Sequence, residues 1–492
     1  MQKNPQFITV SFHSASKKRH LFLCAILLFV NTGYAQPPAE KAAADKWIEE
    51  NAATLKNVNR RIWELAELGL QEHQSSQILQ NLLSGHNFKV NSGVAGMPTA
   101  FVASYGSGKP VIGILAEYDA LPGVSQQAVP YQAARPDNPD GHACGHCLFG
   151  TAGTAAAVAT RYAMEQYDIK GTVRLYGCPA EETLIGKVYM ANAGLFDDCD
   201  VVLHWHPSDT TGVWAGSSKA MVSVKFNFHG LGAHASVSPE HGRSALDAVE
   251  LMNIGANFMR EHLAEDTRIH YTITDGGQAP NVVPPVAQVW YFLRADNHSD
   301  VEYIFKRMLD MAKAAALMTE TTVDWHIDSD CPQLLSNEPL SQLLQKNLEL
   351  AGPPEFTESE KRFAAQTQKP LKGTFEYSLS EKIESLPDNP QPGKGSTDVA
   401  NISWKVPTAG LHTTCYTKAA PGHSWQITAC SGMSIGEKGM LTAARALAYS
   451  AVELFTQPEW IQKANADFQK KKAAGNWNSL IPPAQKAPKK IR

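Results

Sequence analysis

GTVRLYGCPAEETLIGKVYMANAGLFDDCDVVLHWH, residues 171–206, is the stretch that decides the fold. Its opening, 171–177, is an apolar β-branched and aromatic run between glycines, which predicts a strand. The segment 184–193 predicts a helix, and 200–206 (DVVLHWH) predicts a second strand. A strand, a helix and a strand in so short a span imply a crossover between parallel neighbours. Upstream, TAFVAS (99–104) and VIGILA (111–116) read as strands with a turn at Gly106–Pro110, and 148–166 reads as an Ala-rich helix. Residues 41–66 have one helical stripe (Trp47, Ile48, Leu55, Val58, Ile62, Leu65), and a second helix covers roughly 71–84. The expected core is therefore α/β, a largely parallel sheet covered on both faces.

The rhythm changes after residue 217. Strand 220–229, helix 243–264, strands 268–274 and 286–295, helix 298–317 and strand 321–328 follow in the order β-α-β-β-α-β, a ferredoxin-like α+β unit inserted into the first. The α/β pattern resumes at 332, with a Pro/Gly/Ser-rich loop at 385–397, a strand at 407–412 and a helix at 434–456. The expected divisions are a leader 1–35, α/β parts 36–217 and 332–462, the insertion 218–331, and a basic, Pro-containing tail 463–492 expected to be loosely attached.

Lys17, Lys18 and Arg19 precede the apolar run Leu21 to Val30, and Gly33 and Ala35 precede Gln36. A basic region, a short apolar core and small residues at the cut make a secretory signal peptide, too short for a membrane span. Export to the periplasm or medium is expected, with no membrane span after cleavage. The chain has 44 Lys+Arg and 48 Asp+Glu, a net charge of −4, and removing the leader's four cations makes it −8. That balance gives no basic footprint for nucleic acid or anionic lipid. Seven cysteines remain after cleavage (Cys144, Cys147, Cys178, Cys199, Cys331, Cys415, Cys430), an odd number that excludes a simple disulfide scaffold in an oxidising compartment.

The densest chemistry is Gly141-His142-Ala143-Cys144-Gly145-His146-Cys147, just before the Ala-rich helix. Thiolate and imidazole at this spacing suit a zinc-like metal. Cys144 and Cys147 also have thiol–disulfide oxidoreductase spacing, and a structural disulfide is the plain alternative. Next, strand 171–177 runs into Cys178-Pro-Ala-Glu181-Glu182, where open α/β sheets place their sites. An acid pair there allows one carboxylate to bind metal and its neighbour to take a proton from water. His204 and His206 end the next strand on one face, and His423 lies in the loop Pro421-Gly-His423-Ser424. No H-E-x-x-H, dinucleotide fingerprint or phosphate loop is present.

Taken in order, LAEYDALPG (115–123), GHACGHC, CPAEE, LHWHP, FHGLGAHASVSP (228–239), NVVP (281–284) and PGHS resemble the aminoacylase/carboxypeptidase-type two-metal amidohydrolases. The similarity is to the Cys-containing branch that includes p-aminobenzoyl-glutamate and IAA-amino-acid hydrolases, and it spans nearly all of the chain between leader and tail. The resemblance implies a metal-binding catalytic α/β domain with a ferredoxin-like lid that dimerises. It implies two divalent ions (Mn²⁺ or Zn²⁺) held by Cys144, His146, Glu182, His206 and His423, with His204 as the alternative to His206. Glu181 falls on the general base, and His234 on a lid histidine that reaches across a homodimer to the scissile carbonyl. Asn281 and Arg294 fall on residues that grip a substrate carboxylate, and Asp119 on an acid that orients a ligand. The implied reaction is hydrolysis of an N-acyl amino acid such as p-aminobenzoyl-glutamate or a similar acyl-glutamate or dipeptide. A related second subunit is a further implied partner. Cys147 departs from the family, which has Asp or Asn there; its spacing from Cys144 raises oxidation to a disulfide as a control on metal binding. A thiol–disulfide oxidoreductase and a silent binding protein on the same fold are the rival readings.

Overall fold

Strands β1 (Lys89–Ser92), β2 (Phe101–Ser107), β3 (Val111–Glu117), β4 (Gly171–Cys178), β5 (Val201–Ser208), β6 (Gly212–Trp214) and β11 (Thr408–Thr414) form one sheet, and β7 (Ala220–His229), β8 (Arg268–Asp275), β9 (Val286–Ala295) and β10 (Thr322–Cys331) another. The computed structural model describes residues 37–475 and 477–490; the expected leader lies outside them. The large sheet runs β1-β2-β4-β3-β5-β11-β6. Its four central strands, β4, β3, β5 and β11, are parallel, whereas β1, β2 and β6 add antiparallel edges. The sheet is thus mixed rather than largely parallel. β2 and β3 are consecutive across the Gly106–Pro110 turn but do not pair, because β4 is inserted between them. A local turn does not determine which distant strand fills the slot.

All seven residues of β3 are buried, as expected for a strand covered on both faces. Helix His146–Gln166 lies against it and is buried nearly all round. Small residues allow that closeness: a Cβ on Gly150 would stand 2.6 Å from the Glu117 carbonyl oxygen. The end of β3 and the start of this helix are therefore clamped together.

The expected helix 41–66 is two helices, Ala39–Glu50 and Ala52–Leu65. Asn51 breaks it: its side-chain Nδ2 donates to the Trp47 carbonyl at 2.8 Å, satisfying a helix-end acceptor in place of another turn.

The smaller sheet runs β10-β7-β9-β8, antiparallel throughout, with helices Ala245–Met259 and His298–Met318 packed together on it, the ferredoxin-like arrangement. Along β9 burial alternates. Ala287, Val289, Tyr291 and Leu293 pack inward, while Trp290, Phe292 and Arg294 share the opposite face.

The tail is not loose. Helix Glu459–Ala474 buries Ala464 and Phe468, and Ile481 is buried beyond it. The Leu480 amide donates to Asp330 Oδ2 at 2.5 Å. Gln485 Nε2 donates both to Tyr189 Oη, in helix Gly186–Asn192, and to the Ile327 carbonyl in β10, each at 2.7 Å. Basic composition hid the few apolar anchors that dock it. Among the described residues no helix is long and apolar enough to cross a membrane.

Candidate metal centre

The C-terminal ends of the central parallel strands converge, and the candidate residues follow those ends: Glu117 and Asp119 after β3, Glu181 and Glu182 after β4, His206 in β5 and His423 after β11. Three connections hold the backbone left-handed at non-glycine residues, Ala180 and Leu184 flanking the acid pair and His423 itself. Such positions cost about 1–3 kcal/mol each and persist where their surroundings enforce them. Here Glu72, fully buried, takes the Ala180 amide at 2.8 Å and the Thr99 hydroxyl at 2.9 Å, pinning the approach to Glu181. Burial, then repulsion from Asp119, pushes the Glu72 carboxyl up to about 8.

His146 begins its helix after Gly145, whose φ of +75° and 3.0 Å Cβ approach to Pro207 leave no room for a side chain. His146 Nδ1 meets Asp119 Oδ1 at 2.8 Å, and Asp119 Oδ2 accepts the Glu182 amide at 2.9 Å. One carboxylate thus orients a ring and holds the acid-pair loop. His206 Nδ1 donates to the Pro207 carbonyl at 2.7 Å, which turns Nε2 toward Cys144 Sγ at 3.4 Å. Burial and the neighbouring His146 push His206 down to about 4, so it presents a neutral lone pair. His204 lines the same cavity, but its ring packs over Gly410 and beside Trp214 and belongs to no donor group.

Three sets of donor atoms lie within 4.8 Å of one another: Cys144, His146 and His206; Cys144, Glu182 and His423; and Glu117, His146 and Glu181. Cys144 belongs to the first two. His423 Nε2, on a side chain more than half exposed, lies 3.3 Å from Glu182 Oε2. The residues suit divalent metal by the state of their atoms: His146 Nε2, Glu182 Oε1 and Glu117 Oε2 are buried without a hydrogen-bond partner. The charge pattern agrees. Burial works against a charged His146, yet Cys144 and Asp119 outweigh it and hold the imidazole well above its usual range, so the cluster calls for positive charge. Burial and the Glu117 carboxylate hold Glu181 well above the usual carboxyl range.

These residues line a cavity of about 200 Å³ that also takes in Phe292, Arg294 and Ser396. Arg294 Nη1 donates to Ser396 Oγ at 3.3 Å, and its buried Nε has no partner. His234 and Asn281 are not in the cavity. Both are exposed on a neighbouring pair of loops, where His234 bridges Val282 and its Nδ1 accepts the Ser236 and Val237 amides. Cys147 is fully buried in the main core and absent from the cavity lining; the seven described cysteines are all free thiols.

Composition and spacing did not single out Glu117, Lys187 and Asp398. Lys187 is fully buried between Glu117 Oε1 at 2.8 Å and Asp398 Oδ1 at 2.5 Å, and its backbone N–H donates to Asp398 Oδ2 at 2.8 Å. The one available signal was a single lysine in the apolar run Leu184 to Ala193.

Thiol, imidazole and carboxylate donors at the ends of parallel strands, beside a carboxyl with a raised pKa, define a metallohydrolase. The family model for peptidase family M20/M25/M40 matches residues 113–448, and the chain belongs to that family; it is a metal-dependent amidohydrolase. It is 39% identical over 454 residues to one of the two component chains of the p-aminobenzoyl-glutamate hydrolase of Escherichia coli (strain K12), covering 86% of this chain and 94% of the relative. It is 29% identical to the Xaa-Arg dipeptidase of Mus musculus, covering 87% and 92%. In fold it is similar to an aminobenzoyl-glutamate utilization protein from Klebsiella pneumoniae (TM-score 0.59, 17% identity, 84% and 99% covered). A dinuclear metal-binding peptidase of the M20 family from Bacillus subtilis shares the fold as well (0.53, 18%, 83% and 99%).

Proposed function

We propose that the protein hydrolyses the amide bond of an N-acyl amino acid, with p-aminobenzoyl-glutamate or a similar acyl-glutamate as substrate. The observation that carries this reading is the sharing of Cys144 between two donor groups beside Glu181. Cys144, His146 and His206 would hold one divalent ion, and Cys144, Glu182 and His423 a second, either Mn²⁺ or Zn²⁺. When bound, such ions acidify a water and polarise the scissile carbonyl.

The remaining work falls to the chain. Glu181, disposed by burial to hold a proton, takes one from the attacking water and delivers it to the leaving nitrogen. Asp119 keeps the His146 ring oriented through Nδ1. Arg294, the cation in the cavity lining, pairs with the substrate carboxylate. His234 and Asn281 stand exposed, which fits delivery to the site of a second copy in a homodimer, His234 as a donor to the carbonyl oxygen and Asn281 to the carboxylate. The related Escherichia coli hydrolase is named as a pair of different component chains, so a hetero-partner is the alternative assembly. The 1–35 leader supports action outside the cytoplasm, checked by finding Gln36 at the N-terminus of the purified protein.

The deciding assay is release of p-aminobenzoate from p-aminobenzoyl-glutamate by Mn²⁺-supplemented protein, with and without chelator. Release that stops with chelator is expected. Absence of release from a metal-loaded, dimeric protein would remove this substrate, and absence with every N-acyl amino acid and dipeptide tried would remove the reading.

A further inference from the structure

Within the metal site proposed above, Glu117 has a place that the motifs do not give it. It ends β3 with 1% of its surface exposed. Lys187 takes Oε1, and the other oxygen, Oε2, faces His146 Nε2 at 3.3 Å. Neither of those facing atoms has a hydrogen-bond partner. The His146 Nδ1 contact with Asp119 makes Nδ1 the protonated nitrogen of a neutral ring, so a lone pair and a carboxylate oxygen confront each other. Two acceptors at that distance repel unless a cation lies between them.

Charge counting leads to the same point. Glu117, Lys187 and Asp398 are all at most 1% exposed. Two carboxylates around one ammonium leave one negative charge uncompensated in the interior, an arrangement that burial strongly disfavours. Glu117 is also held in place. Lys187, itself anchored by Asp398, fixes one oxygen, and the Gly150 contact clamps the end of β3 against the helix that begins with His146.

We infer that Glu117 is a metal ligand, its Oε2 joining Cys144, His146 and His206 around one ion. That ion then has four protein donors, a closed set, whereas Cys144, Glu182 and His423 supply three and leave a position open to solvent or substrate. The two ions are consequently unequal: one is held tightly, and the other exchanges more readily.

The test is competition between the reduced protein and a chromophoric chelator for Zn²⁺, with thermal unfolding of the metal-free protein followed in parallel. Wild type should bind two Zn²⁺ in two resolvable steps. Glu117→Gln, nearly isosteric, should weaken the tighter step at least ~10-fold while the weaker step stays in place. Should Glu117→Gln fail to fold, Glu117→Asp, which keeps the charge but withdraws the oxygen, should show the same selective weakening. A folded variant that binds both ions as tightly as wild type overturns the assignment, and so does equal weakening of both steps, which would mark a general charge effect. Wild-type protein that binds no Zn²⁺ or Mn²⁺ would bring down the metal-site reading itself, an outcome distinct from either of these.

Discussion

Lys41 and Lys187 are both buried lysines bound to carboxylates, yet their networks differ in kind. Lys41 reaches Glu453 Oε2 at 2.5 Å and Asn347 Oδ1 at 2.7 Å. Glu453 also accepts from Asn347, Lys346 and Trp460, and no polar side-chain atom of these groups is left unpartnered among the described residues. The Lys187 network adjoins buried atoms of Glu117, His146 and Glu182 that have no protein partner. A network that closes on itself holds the fold together. One that stops at unpaired atoms is waiting for something from outside the chain, and the difference is visible without any knowledge of function.

That contrast makes measurable claims. The largest effect belongs to the open network: Glu181→Gln should lower turnover by about 10²–10⁴-fold, the usual scale of a lost general base. Metal content should stay at the wild-type level, as measured on the dialysed protein; retained turnover would remove Glu181 from the mechanism. Lys41→Met should do the reverse. It strands Glu453 in the interior, so denaturant unfolding should show a loss of about 3–5 kcal/mol, while activity per folded molecule persists.

Metal removal comes next. An ion present at a hundred times its Kd adds about 2.7 kcal/mol, so chelator should lower the Tm of wild type. In Cys144→Ser, which weakens the donor common to both groups, that difference should shrink sharply. An undiminished chelator response would mean that the stabilising ion sits elsewhere.

The smallest effect tests a second closed network. Glu360 accepts from Ser434 at 2.6 Å, from Lys438 at 2.7 Å and from the Thr357 amide at 2.7 Å. Burial alone would raise its pKa, but these donors outweigh it and bring the carboxyl from 4.5 down to about 2. A depressed carboxyl contributes stability that is complete above about pH 4.5 and is lost as the pH falls toward 2. Glu360→Gln should therefore flatten the rise of Tm with pH across that window and leave the slope above it unaltered.

The reach of the sequence followed the range of the interactions. Apolar periodicity located most helices and strands, and the ordered motifs were enough to identify the family. The slot that β4 takes between β2 and β3 depends on pairing between remote strands, which a turn cannot encode. His204 and His206 share a strand face by alternation, so only the ring orientation set by the Pro207 carbonyl distinguishes them. Lys187 and Asp398 are 211 residues apart, and no spacing rule connects them. His234 and Asn281 were marked by resemblance alone, and a single copy of the chain leaves them far from buried chemistry. The tail went astray because composition reports average polarity, whereas docking rests on a handful of side chains.

The docking of that tail bears on how the two sheets can move. The chain enters and leaves the four-stranded sheet through β7 and β10, which lie side by side. Two adjacent attachments define a hinge line about which a rigid body can swing. Gln485 adds a third hold, joining Tyr189 on one side to Ile327 on the other. A door fastened at its hinges and also latched no longer swings, so any wide rotation of this sheet must first release the last residues of the chain.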